Sequence, residues 1–188
     1  MTFNTKIKKI KDKKNDNIYT PLSVVKIMIE MCDIKPSDKV LDCSLGGGIF
    51  YDNLPECDKD WCEIDKGRDF FMCNNKYDLI IGNPPYSMWS KWLEHTTKLT
   101  DRFCYIFGTF NITDTRIRDL AKKGYGITKI HLLKIDWWFA MSYLILFEKN
   151  KPSIMSVSEN CICCDVCNKK CKRGRNGKDY NVCTTLKL

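Results

Sequence analysis

The sequence predicts an α/β protein whose open sheet is mostly parallel, and three observations predict it. Stretches with strand character alternate along the chain with stretches of helical period. Strand-like runs stop at an acid or at glycine- and proline-rich turns, where the loops of a parallel sheet carry a site. The 188 residues, 44% hydrophobic and 12% aromatic, suffice for one sizeable core and exclude two large domains.

The elements follow in order. Ile18-Tyr19-Thr20-Pro21 leads into a helix over 22–32, with apolar residues at Val24, Val25, Ile27, Met28, Ile29 and Met31 and Pro21 near its first turn. After a turn at Lys35-Pro36-Ser37-Asp38, a strand over 39–42 ends in Asp42 and enters the loop Cys43-Ser44-Leu45-Gly46-Gly47-Gly48. Strands are expected over 60–64 and 77–81, the second stopping at Gly82-Asn83-Pro84-Pro85-Tyr86. A helix over 88–99, a strand over 103–107, a helix over 113–123 and strands over 127–135 and 142–147 complete the body. The alternation argues for parallel pairing, with the last two strands antiparallel at one edge. The chain thus divides into a basic arm (1–17), a body (18–149), a linker with Pro152 and several serines (150–160) and a cysteine-rich tail (161–188).

The net charge of +8 is unevenly placed. Residues 1–16 hold six Lys against two Asp, and residues 161–188 hold seven Lys or Arg against two Asp, which leaves the remainder at −1. Basic ends on a neutral body suit a polyanion such as nucleic acid, although charge runs are also common as solvated tails. Apolar stretches are too short to span a bilayer, and no leader sequence is visible, so an intracellular protein is expected. Cys32, Cys43, Cys57, Cys62, Cys73 and Cys104 are scattered among apolar neighbours and read as thiols of a reducing compartment.

Three loops carry the chemistry. Asp42-x-x-x-Gly46-x-Gly48 allows close approach of backbone to ligand, with an acid to accept hydrogen bonds; it lacks the Gly-Lys-Ser/Thr ending of an NTPase phosphate loop. Glu63 lies about 20 residues beyond Asp42, the usual interval for an acid that binds ribose hydroxyls. The third loop, Asn83-Pro84-Pro85-Tyr86, is the most specific. Two prolines freeze the chain and remove two donors, so an Asn oxygen and a fixed carbonyl can accept both hydrogens of a planar NH2 group while Tyr86 stacks on its ring.

On these residues, over roughly 18–149, the chain resembles the S-adenosylmethionine-dependent amino-methyltransferases with the Asn-Pro-Pro-Tyr motif, most closely the N6-adenine enzymes. The resemblance implies a Rossmann-like class I methyltransferase fold. It also implies roles. Tyr19, Thr20 and Pro21 would pack on the methionine end of the cofactor; Asp42, Gly46 and Gly48 would form its loop, and Glu63 would bind its ribose. Asp69 would meet the cofactor's adenine amine with Phe70 beside the ring, and Asp65 and Arg68 would share that pocket because only Lys66-Gly67-Arg68 separates Asp65 from Asp69. Asn83, Pro84, Pro85 and Tyr86 would be catalytic, with Asn83 also against the cofactor. Tyr86 and one of Trp137, Trp138 and Phe139 would hold the target base. The helix that normally follows the second strand is missing or reduced to a turn, and no insertion large enough to read a target sequence is present. Specificity would then be low, short or supplied by a protein partner.

The tail packs Cys161, Cys163, Cys164, Cys167, Cys171 and Cys183 into 23 residues. Cys164-Asp165-Val166-Cys167 has the spacing of a zinc knuckle, and a structural zinc held by Cys164, Cys167, Cys171 and Cys183 is expected, with Cys161 and Cys163 as alternates. Lys172, Arg173, Arg175 and Lys178 form a basic loop suited to phosphate contacts. The sequence therefore points to methyl transfer onto adenine N6, with DNA favoured over RNA. RNA adenine or guanine amines, a protein glutamine, and a catalytically silent nucleic-acid-binding subunit are the alternatives.

Overall fold

A computed structural model of the chain describes residues 19–156, Trp137 and Phe139 excepted. The basic arm (1–17), Ile18, residues 157–160 and the cysteine tail lie outside the described residues. The elements are α1 (Leu22–Cys32), β1 (Lys39–Asp42), α2 (Ile49–Asn53), β2 (Asp58–Trp61), β3 (Leu79–Gly82), α3 (Trp89–Leu99), β4 (Arg102–Gly108), α4 (Asp114–Lys122), β5 (Tyr125–Leu133) and β6 (Ser142–Lys149). Single 3-10 turns stand at Ile64–Lys66, Phe70–Met72 and Tyr86–Met88.

The six strands form one sheet in the order β2-β1-β3-β4-β6-β5. β2, β1, β3 and β4 are parallel, and β6 runs antiparallel to both β4 and β5. The reversed strand therefore lies one place in from the edge that β5 forms. Among the described residues no helix is long and apolar enough to cross a membrane.

The period of two along each strand sorts the core into two layers. Val40, Leu79, Ile81, Cys104, Ile106, Leu144 and Leu146 belong to one buried cluster with Val24, Val25, Met28 and Cys32 of α1. The intervening positions of β4 carry the aromatic rings of Phe103, Tyr105 and Phe107, and those of β6 carry Tyr143, Ile145 and Phe147. Phe103 stacks on Phe147 at 4.8 Å, and Phe107 stacks on Trp89 of α3 at 4.3 Å. Leu79, Ile80 and Ile81 are fully buried, as a central strand covered on both faces requires.

Departures from the sequence reading are local and have physical causes. β2 starts two residues and ends three residues earlier than expected, because Ile64 enters a 3-10 turn while Glu63 and Arg68 pair backbone to backbone. Its sequence, Asp-Lys-Asp-Trp, is polar, which suits an edge strand and hides it from an apolar pattern search. The link from β2 to β3 contains only two 3-10 turns, so the helix expected to be missing or reduced is replaced by turns. α2, a five-residue helix entered through Gly48, is too short to show a period.

Candidate active site

Parallel register brings the functional loops to one level. Asp42 is the Cα partner of Trp61 on one side and Ile81 on the other, and Gly82 pairs with Tyr105. The residues leaving β1, β2 and β3 consequently emerge side by side at the carboxyl edge of the sheet.

Asp42 is completely buried. One carboxylate oxygen accepts from Ser44 N–H and the other from Tyr51 N–H, each at 3.2 Å. The side chain thus braces the glycine loop from both ends instead of standing open to a ligand. Burial raises its pKa from 3.8 to about 7 against the pull of those two N–H donors, with Glu63 and Asp52 adding to the rise. The folded protein therefore keeps this proton over a range where the unfolded chain releases it. The stability tied to Asp42 is fully present below about pH 4, declines as pH rises and is flat above about pH 7. Asp42→Asn removes that dependence. Urea midpoints at pH 5, 6, 7 and 8 should show a wild-type decline, approaching about 1.4 kcal/mol per pH unit, that the variant lacks. Parallel pH profiles would refute this.

Glu63 closes the loop from the second strand: Gly46 N–H donates to its Oε2 at 2.7 Å, and Asp65 N–H donates to Oε1 at 3.4 Å. Lys66 Nζ reaches Gly46 O at 3.4 Å. The 63–68 hairpin is fastened back onto β2 by Arg68, whose guanidinium lies 4.2 Å over the Trp61 ring and pairs with Asp60. The other Asp60 oxygen accepts the Tyr77 hydroxyl at 2.6 Å. A small acid-bearing hairpin thus follows β2.

The Asn-Pro-Pro-Tyr loop approaches the first loop through Gly82. With φ at 152°, a Cβ at this position would stand 2.9 Å from Cys43 Sγ and 3.2 Å from Ser44 Oγ, so only glycine lets the two loops touch. Asn83 is half-buried with Oδ1 shielded from solvent, and Pro84 is buried. Tyr86 lies against Trp89 with ring centroids 6.2 Å apart and planes 23° from parallel. Trp89 in turn anchors on Phe107, so the aromatic core carries the motif's ring.

Of the other expected site residues, Tyr19 is exposed with its ring above Gly47, where a Cβ would come within 3.2 Å of Cε1. Thr20 is buried, and the Pro21 carbonyl accepts from Val24 and Val25 at the start of α1. Gly46 and Gly48 have φ of 50° and 88°. Asp65 is exposed, and Asp69 accepts from Phe71 N–H at 2.9 Å, which fixes its own turn.

Two of the expected aromatic residues are buried. Phe70 is 2% exposed and stacks on Trp92 at 4.3 Å, so α3 takes one ring face. Trp138 is 8% exposed and belongs to the core cluster that also holds Ile135 and residues of α1. Trp137 and Phe139 lie outside the described residues, as do the tail's cysteines and its basic loop. Among the described residues, no three His, Cys, Asp or Glu side chains gather as a metal site. The sequence reading missed Gly82 and Trp89 as supports of the site. The first was visible as the glycine before the motif and the second as the tryptophan three residues after it.

No protein family matches the sequence, and no curated protein does. Solved structures match by fold. A proposed RNA methyltransferase from Pyrococcus horikoshii aligns over 68% of this chain and 82% of its own, with a TM-score of 0.54 and 18% identity. The 23S rRNA methyltransferase ErmE aligns over 73% of this chain and 71% of its own, with a TM-score of 0.55 and 10% identity. Trm5 of Methanocaldococcus jannaschii, solved in complex with adenosine, aligns over 71% of this chain, which spans only about half of it (51%), with a TM-score of 0.57 and 14% identity. The described residues, six strands with β6 reversed, therefore share the Rossmann-like fold of these methyltransferases.

Proposed function

We propose that the chain transfers a methyl group from S-adenosylmethionine to the N6 amine of adenine in a nucleic acid. The observation that carries the reading is the convergence, at one sheet edge, of the Asp42-braced glycine loop, Glu63 and Asn83-Pro84-Pro85-Tyr86. The residues fit an adenosyl cofactor. The glycine loop is open at Gly46, where a Cβ would meet only the Ser44 carbonyl oxygen at 4.0 Å, and Glu63 already accepts an N–H donor, as it would accept ribose hydroxyls. Trm5 in complex with adenosine supports the same assignment by fold.

When bound, S-adenosylmethionine supplies an electrophilic methyl group. The chain's own residues supply orientation and acceptors. The adenine amine is a poor nucleophile because its lone pair is delocalised into the ring. Asn83 Oδ1 and the Pro84 carbonyl accept its two hydrogens and favour a tetrahedral nitrogen, whose lone pair can then point along the line of transfer. The same two oxygens stabilise the positive charge that grows on nitrogen. Tyr86, backed by Trp89, stacks on the base and holds it in plane. Such a base must stand outside a helix stack, which favours single-stranded or flipped substrate.

RNA stands ahead of DNA in this proposal, because two of the matched structures bear the names of RNA methyltransferases. Lys172, Arg173, Arg175 and Lys178 are proposed to hold the strand by its phosphates, and Cys164, Cys167, Cys171 and Cys183 to hold zinc. Zinc content of the purified chain should be one per molecule and fall sharply in Cys167→Ser; full retention would reject this ligand set. The function itself is tested by offering tritiated S-adenosylmethionine with RNA, DNA and protein in parallel. Label in nucleic acid is expected. Label confined to protein, or in none of the three with the cofactor also unbound, overturns the proposal.

A further inference from the structure

The loop after β4 is the neighbour of the Asn-Pro-Pro-Tyr motif to which the sequence reading gives no role. β4 ends at Gly108, where a Cβ would stand 3.7 Å from Tyr86 Cε2 and 3.6 Å from Asn111 Nδ2. The loop thus starts against the motif's aromatic ring. Its shape is fixed by bonds at both ends. Asn111 N–H donates to Gly108 O at 2.8 Å, and Thr109 donates to Met141 O through its N–H at 3.1 Å and its hydroxyl at 2.9 Å. Arg116, in the first turn of α4, donates from Nη1 to Asn111 O at 2.8 Å.

Two side chains of this rigid loop are presented at a cost to folding. Phe110 is 59% exposed, although a benzyl group gains most when buried. Arg116 is half-buried, and among the described residues no carboxylate pairs with it, because Asp114 pairs with Arg118 instead. Burial alone holds its guanidinium below the usual arginine range. A half-buried cation without a counter-ion is expensive, and an anion that arrives with the substrate removes the expense.

We propose that residues 108–116 form the strand clamp of the site: Phe110 stacks on the base next to the target nucleotide, and Arg116 pairs with the phosphate beside it. A flat hydrophobic face and a guanidinium on one short loop match the two parts of a nucleotide. The assignment rests on the methyltransferase reading of the same site and adds to it the residues that hold the strand on the Tyr86 side.

The test measures binding of labelled single-stranded RNA and DNA oligonucleotides to the full chain over a salt series. Phe110→Ala should weaken binding at least about five-fold at every salt concentration and leave the salt slope unchanged. Arg116→Gln should lower the slope of log affinity against log salt by about 0.7, the share of one phosphate on a single strand, and Arg116→Lys should restore it. If Arg116 only props the loop, Arg116→Gln weakens binding at an unchanged slope, and the phosphate assignment falls. Wild-type affinity in both Phe110→Ala and Arg116→Gln, or a wild-type chain that holds no strand, also overturns the clamp. Failure of the methyltransferase reading shows elsewhere, as absent S-adenosylhomocysteine binding and absent methyl transfer in a chain that still binds the strand through these residues.

Discussion

Asn83→Ala is expected to lower kcat for methyl transfer by about 10²–10³-fold, the loss typical when one preorganised electrostatic partner of a reacting group is removed. The affinity for S-adenosylmethionine should stay within a few-fold, because Asp42 and Glu63 hold the glycine loop. The effect should fall on kcat rather than on KM, since the amine's acquisition of charge is felt only in the transition state. Single-turnover rates with saturating substrate measure it. A variant with wild-type kcat would remove Asn83 from the chemistry, whatever happened to binding.

Trp89→Ala should cost about 3–5 kcal/mol of stability, the range for truncating a large buried aromatic. Trp89 is 1% exposed, stacks on Phe107 at 4.3 Å with planes 21° apart, and meets Tyr105 edge-on at 6.0 Å. Against a total of about 5–15 kcal/mol for an ordinary domain, that loss brings the chain near its folding limit. Trp89→Phe, which keeps a ring in the stack, should recover most of it. Because Tyr86 lies against Trp89, the Phe variant should also raise KM for nucleic acid more than it raises KM for cofactor, each relative to wild type. Urea midpoints give the first effect. A loss below about 1 kcal/mol in Trp89→Ala would mean that the stack does not bear on the fold.

The parts of this site legible in the sequence are those whose local chemistry is unusual. Asn83-Pro84-Pro85-Tyr86 is conspicuous because a plain turn has no use for an amide and an aromatic around two prolines. Asp42 and the glycines were legible from the abrupt end of an apolar strand, although the structure gives Asp42 the work of bracing the loop through Ser44 and Tyr51. The helix over Leu22–Cys32 agrees at both ends, since Pro21 and the left-handed Asp33 bound it. What stayed hidden depends on contacts far apart in sequence. The polar β2 is a strand only because β1 lies beside it. Trp138 carries no local sign that it would join the buried cluster of α1 and Ile135. Gly82 is demanded by Cys43 and Ser44, some forty residues earlier, and Phe110 matters because Gly108 lies against Tyr86.

The most direct test of the central claim is the identity of the methylated atom. After incubation of the full chain with methyl-labelled S-adenosylmethionine and a single-stranded RNA or DNA, the product is digested to nucleosides and separated by mass. N6-methyladenosine, or its deoxy form, carrying the label is the expected result, and it should vanish with Asn83→Ala. Label on a ribose hydroxyl or a ring carbon, at a wild-type rate in Asn83→Ala, would contradict amine transfer by the Asn-Pro-Pro-Tyr loop.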